Sequence, residues 1–123
     1  MNTVLVVDDS ATMRRMVMAA LRSLGPLQFI EAATGLEAIE QLALQAVDLI
    51  VLDMNMPDIH GMEVLDFIAQ HEGLRRVPVI VLTTRGDEAL RVEALQAGAT
   101  LYVTKPFEPG FLLEQARRLL DLE

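Results

Sequence analysis

A chain of 123 residues has the length of one compact domain, residues 1–123, with none left over for a second. Hydrophobic residues make up 52%, enough for a full core; a formal charge of −8 argues against general nucleic-acid binding, and the lack of cysteine excludes disulfides and thiolate metal sites. No apolar run approaches the roughly 20 residues of a membrane helix and no signal peptide is recognisable, so a cytoplasmic protein without membrane insertion is expected.

The first element in chain order is Val4-Leu5-Val6-Val7, apolar throughout, as a strand buried on both faces should be. Met13, Met16, Val17, Ala20, Leu21 and Leu24 then fall at helical spacing and stop at Gly25-Pro26. Gln28 to Ala32 is shorter and more polar and reads as an edge strand. Thr34 with Glu37 three residues on is a capping box opening the second helix. Leu49-Ile50-Val51-Leu52 is the third strand. Gly61 to about His71 reads as a helix with Met62, Leu65, Ile68 and Ala69 facing inward, and Val77 to Leu82 as the fourth strand, with Pro78 tolerable near its start. Asp87 to Ala97 is helical and ends at Gly98; Leu101-Tyr102-Val103 is the fifth strand; Pro109 fits a first helical turn, followed by the stripe Leu112, Leu113, Ala116, Leu119 and Leu120. Strands alternating with helices in this way imply βαβ units and a parallel sheet covered on both faces.

In such sheets ligands bind beyond the carboxyl ends of the strands. Asp8 and Asp9 follow the first strand, Asp53 and then Asn55 the third, Thr83 and Thr84 the fourth, and Lys105-Pro106 the fifth. Each has a bland reading: an aspartate before a helix is often a cap, Asp53 sits in the turn-rich stretch DMNMPDIHG, and a lysine at a strand end is usually solvated. Their joint placement is harder to dismiss, because three clustered carboxylates repel one another unless a cation compensates them. Oxygen ligands without His or Cys suit a hard ion, Mg²⁺ rather than zinc or copper. A carboxylate beside such an ion can act as a nucleophile toward phosphorus. Lys105 is the only lysine in the chain, the other nine basic residues being arginine.

In the order VVDDS, VLDMNMPDIHG, VLTTRG and GATLYVTKPF, these segments resemble the receiver domain of bacterial two-component response regulators, and the resemblance covers essentially the entire chain. It implies a (βα)5, flavodoxin-like three-layer sandwich with parallel strands in the order 2-1-3-4-5. It further implies that Asp53 accepts a phosphoryl group from a histidine kinase, that Asp9 ligates Mg²⁺ directly and Asp8 mostly through water, and that Asp53 and the backbone carbonyl of Asn55 complete the protein ligands. Thr83 is expected to bond a phosphoryl oxygen after transfer. Lys105 is expected to reach the same group and to pair with Asp53 when the site is empty, turned inward by a cis peptide before Pro106. Thr84 and Arg85 flank the site; Thr84 restricts access of water or donors, and Arg85 stands where many relatives carry an acidic or amide side chain.

The resemblance also implies a switch. Thr83 is drawn toward the phosphoryl group, Tyr102 turns inward behind it, and the face formed by the fourth helix, fifth strand and fifth helix changes its affinity for an output protein. The chain is expected to act as a monomeric phospho-acceptor that assists its own phosphorylation and dephosphorylation and is not otherwise an enzyme. DDSATMRRMV resembles the start of stand-alone chemotaxis members, whose output is the flagellar motor switch. A phosphorelay carrier, a twitching-motility regulator and a receiver cut from a longer regulator remain alternatives, and a phosphatase is left open as a partner. A Mg²⁺-dependent phosphohydrolase is the rival enzyme; it would want a second acid two residues after the nucleophile, where Asn55 stands. A flavodoxin-like cofactor binder would need a Ser/Thr/Gly-rich phosphate loop in place of DDSATMRR. The methionines read mostly as core.

Overall fold

The computed structural model describes residues 1–121. Its elements alternate as β1 (Asn2–Val7), α1 (Ala11–Leu21), β2 (Leu27–Ala32), α2 (Gly35–Leu44), β3 (Leu49–Leu52), α3 (Gly61–Gln70), β4 (Val79–Thr83), α4 (Glu88–Gln96), β5 (Leu101–Thr104) and α5 (Pro109–Leu119). All neighbouring strands are parallel and lie in the order β2-β1-β3-β4-β5. The expected doubly wound (βα)5 sheet is therefore present, with β2 at one edge.

Period-two alternation along the buried strands sends side chains into two separate cores. Leu5, Val7, Ile50, Leu52, Val79 and Val81 pack with Ala38 and Leu42 of α2, Val64, Leu65 and Ile68 of α3, and Leu90 and Ala94 of α4. Val4, Val6, Leu49, Val51, Ile80 and Leu82 pack with Val17 and Leu21 of α1 and with Leu112 and Ala116 of α5. The result is three layers, with α1 and α5 on one face of the sheet and α2, α3 and α4 on the other. Each fully buried aliphatic side chain contributes roughly 1.5–3 kcal/mol, so the continuous runs VLVV and LIVL fix the central strands. Polar chemistry is left to the strand ends.

The helix ends follow local sequence. Ser10, not either aspartate, caps α1, its hydroxyl accepting from the Met13 amide at 3.1 Å. Thr34 caps α2 by accepting from the Glu37 amide, and the Glu37 carboxylate returns to the Ala33 amide at 2.8 Å, one residue earlier than a standard capping box requires. Gly98 has φ +116°, in the region that side chains disfavour, and ends α4.

Several expected boundaries move. Pro78 lies outside β4, which begins at Val79, while its carbonyl accepts from the Ile50 amide. Thr83 is the last residue of β4 rather than the first beyond it. On α3, Val64 is buried and Ala69 is exposed, so the inward stripe is Val64, Leu65 and Ile68 with Met62 partly covered. Met54 and Met56 are buried as expected of core methionines, whereas Met16 is exposed.

Candidate functional site

The order of strands reverses at β1: the chain runs outward from β1 to β2, then continues from β3 on the other side of β1. Val7 and Leu52 are register partners across that junction, so the residues after them leave the sheet at one level. Those residues are Asp8 and Asp53. The Asp53 amide still donates to the Val7 carbonyl at 2.9 Å and the Asp8 amide to the Ala32 carbonyl at 3.0 Å, which anchors both backbones to the ladder.

Asp8 is 3% exposed and Asp53 5%, while Asp9 is open to solvent. Each of the three offers a carboxylate oxygen, and the three oxygens lie within 4.8 Å of one another. An all-oxygen set with two buried members and one exposed member fits a hard divalent cation approached from solvent. Asn55, exposed in the loop after β3, donates its amide to Asp53 Oδ1 at 3.3 Å.

Lys105 reaches this cluster from the loop after β5, and the Lys105–Pro106 peptide is cis. Its Nζ donates to Asp8 Oδ2 at 2.8 Å and stands 3.6 Å from Asp53 Oδ1. Lys105 thus pairs with Asp53 as expected, and also, more tightly, with Asp8. Two acids share the single ammonium, and Asp8, with its second oxygen already accepting from the Ser10 amide at 2.9 Å, holds the shorter bond. Burial pushes the Asp53 carboxyl above its ordinary value; Lys105 opposes that shift, while Asp8 and Asp9 add to it.

Thr83 is fully buried at the end of β4. Its hydroxyl oxygen accepts from the Asn55 side-chain amide at 3.1 Å and from the Arg85 backbone amide at 3.2 Å. With its acceptor positions engaged, its own proton is the part left to donate. The Arg85 carbonyl in turn accepts from the Tyr102 hydroxyl at 2.6 Å. Tyr102 is therefore bonded to the β4–α4 loop rather than wet, and burial followed by the nearby Asp87 charge raises its phenol above the ordinary value. Thr84, Pro106 and Arg85 are exposed, and the Arg85 guanidinium turns to Asp87 at 3.0 Å rather than toward the carboxylates.

Three residues support this arrangement: Asp58 and Gly61, which the sequence marks as part of the turn-rich stretch DMNMPDIHG, and Arg14, which it does not single out. Asp58 spans from the β3–α3 loop to the start of α2, accepting from the Gly35 amide at 3.0 Å and the Leu36 amide at 3.1 Å. Partial desolvation opposes these bonds, yet the Leu36 and Gly35 amides hold its carboxyl below the ordinary value. Gly61 lets α3 start directly against the loop that follows β3: its amide donates to the Met54 carbonyl, and a Cβ there would sit 2.7 Å from Met54 Cα. Arg14 of α1 donates to the Asp8 carbonyl at 2.7 Å and to Glu31 Oε1 at 2.8 Å. The signal for Arg14 was its position, a cation in the first turns of a helix, where the dipole disfavours one.

Residues 4–117 match the family model of the response regulator receiver domain. The chemotaxis protein CheY1 of Helicobacter pylori is 38% identical over 117 residues, covering 94% of both chains. Among solved structures, the chemotaxis response regulator CheY4 of Vibrio cholerae superposes with a TM-score of 0.88 at 34% identity, over 97% of this chain and 98% of its own. The Mn²⁺-bound form of response regulator Rcp1 does so with a TM-score of 0.82 at 30% identity, over 97% and 91%.

Proposed function

The chain belongs to the response regulator receiver domain family, and from that premise we propose that it is a Mg²⁺-dependent signalling switch phosphorylated on Asp53 by a histidine kinase. The observation that carries this reading is the convergence of Asp8, Asp9, Asp53 and the only lysine in the chain on the reversal point of the sheet. An Asp53 carboxylate oxygen forms a bond to phosphorus while the bond from phosphorus to the donor's imidazole nitrogen breaks. The electron pair stays on that nitrogen. Asp53 becomes an acyl phosphate.

The cation would be held by Asp9 directly, by Asp8 largely through water, by Asp53 and by the Asn55 backbone carbonyl, and would supply neutralisation of the charge on the transferring group. That the similar response regulator Rcp1 has a Mn²⁺-bound form supports the divalent-ion reading. Lys105 lies near enough to Asp53 to meet a second phosphoryl oxygen, and its compact ammonium suits that corner better than a guanidinium. Thr83 shifts toward the group and donates its free hydroxyl proton to it. Because Thr83 also accepts from the Arg85 amide, its shift moves the loop whose carbonyl holds Tyr102. Phosphorylation, which adds about −1.5 to −2 charges, thereby alters the face of α4, β5 and α5 where an output protein docks.

The chemotaxis relatives favour a motility output such as the flagellar motor switch. Incubation with Mg²⁺ and acetyl phosphate, read by intact mass, tests the acceptor. A phosphate-sized adduct is expected in the wild type and none in Asp53→Asn; an adduct that persists in the variant moves the acceptor elsewhere. Steady turnover of phosphate esters would instead favour the hydrolase.

A further inference from the structure

Asp8 has every polar atom committed, each to a different part of the chain. Its amide donates to the Ala32 carbonyl of β2, Oδ1 accepts from the Ser10 amide, Oδ2 from Lys105 Nζ, and its carbonyl oxygen from Arg14 Nη1. Asp9, next in sequence, has no protein hydrogen bond to its carboxylate among the described residues and is exposed. The turn therefore holds one acid rigidly and offers the other. Of the two cations in this set, Lys105 and Arg14, the proposed phosphotransfer uses only the first.

Its position is otherwise unfavourable. It lies in the first turns of α1, where the helix dipole opposes a cation, and its side chain is only 15% exposed against 47% for Glu31. Glu31 supplies the compensating charge from the edge strand at 2.8 Å. The fork thus joins three segments: the end of β1 through the Asp8 carbonyl, the edge strand β2 through Glu31, and α1 through its own backbone. The planar guanidinium meets the two acceptors from two separate nitrogens, Nη1 and Nε, whereas a lysine would have to serve both from a single point.

We propose that Arg14 is a positioning residue for the cation site, holding the β1–α1 turn so that Asp8 and Asp9 present their carboxylates together. This rests on the divalent-cation reading above and deepens it. Two effects of Arg14 have opposite signs, which makes the proposal testable. As a charge near an acidic site it repels a cation, so its removal should tighten binding. As a clamp on a residue that holds the ion it should tighten binding by its presence, and loss of such outer partners typically weakens metal affinity by about 10–100-fold.

The test is titration with Mn²⁺ alone, by calorimetry or electron paramagnetic resonance, on the full chain below its melting transition. Wild-type binding is expected to be lost in Asp9→Asn, to weaken about tenfold in Arg14→Met, and to weaken several-fold in Arg14→Lys, which keeps the charge and loses the fork. Equal or tighter binding by folded Arg14→Met, or wild-type binding by Arg14→Lys, overturns the proposal. So does a lowered melting temperature with affinity unchanged, which a purely structural ion pair would give. If Arg14→Met does not fold, Arg14→Lys decides. Wild-type binding that survives Asp9→Asn overturns the cation site itself, a result separate from failure of the Arg14 role.

Discussion

At the carboxyl ends of the strands two carboxylates and a lysine lie almost out of solvent. At the amino ends the sheet leads instead to a groove of about 600 Å³ between the last turns of α2 and α3, lined by Leu42, Leu44, Ala46, Phe67, His71 and Leu74. The groove is open and largely apolar, and Leu44 on its rim is 78% exposed. Volume is nevertheless the poorer guide to function here. Withdrawing an ion from water costs several kcal/mol, so charges stay buried only where other groups are arranged to hold them, while an open apolar groove needs no such arrangement.

That contrast can be broken in order of effect. Lys105→Met leaves Asp8 and Asp53 without their ammonium, and removing one partner of a buried pair costs about 3–5 kcal/mol. Urea unfolding without divalent ion should show a loss of this size, part of which millimolar Mg²⁺ should restore by binding only the folded state. A loss below about 1 kcal/mol would mean that the charges at this end are not interdependent.

Asp53→Asn should act the other way. The Asp53 carboxyl is raised when folded, so it keeps its proton at a pH where the unfolded chain has released it. Its contribution is complete below the ordinary carboxylate value and is lost as pH rises through the folded one. Without divalent ion the variant should therefore melt above the wild type near neutral pH and the gap should close toward about pH 4. Lys105 keeps its nearer partner, Asp8, in this variant. A gap that widens on acidification would reverse the assigned shift.

The smallest change is expected at the opposite end, where Leu44→Lys should alter stability by no more than about 0.5 kcal/mol and leave the phosphate adduct on Asp53 unchanged. An altered adduct yield would show that the groove is coupled to the acidic rim and would dissolve the contrast.

The central strands were legible because burial on both faces leaves only apolar residues, as in VLVV and LIVL. Helix faces were less so: on α3 the choice between Val64 and Ala69 turns on a rotation that spacing alone does not fix. The start of β4 was misplaced because Val77 continues the apolar run of the strand and Pro78, tolerable near a strand's start, did not read as its boundary. At the site, strand ends and motif spacing identified Asp8, Asp9, Asp53, Thr83 and Lys105. They did not reveal which acid holds the lysine, since a difference between 2.8 and 3.6 Å depends on segments about fifty to a hundred residues apart. The roles of Asp58 and Arg14 were missed for a related reason. Their partners lie across the fold, at Gly35 and Leu36 and at Glu31, and short-range sequence patterns carry no record of them.

One feature of the β4–α4 loop reaches beyond energetics. The hydroxyl that bonds the Arg85 carbonyl belongs to the only tyrosine in a chain that has no tryptophan. Near-ultraviolet emission from the whole molecule therefore arises essentially from one ring, bonded to the loop that follows Thr83, and the protein carries its own optical label where a spectroscopist would otherwise have to install one.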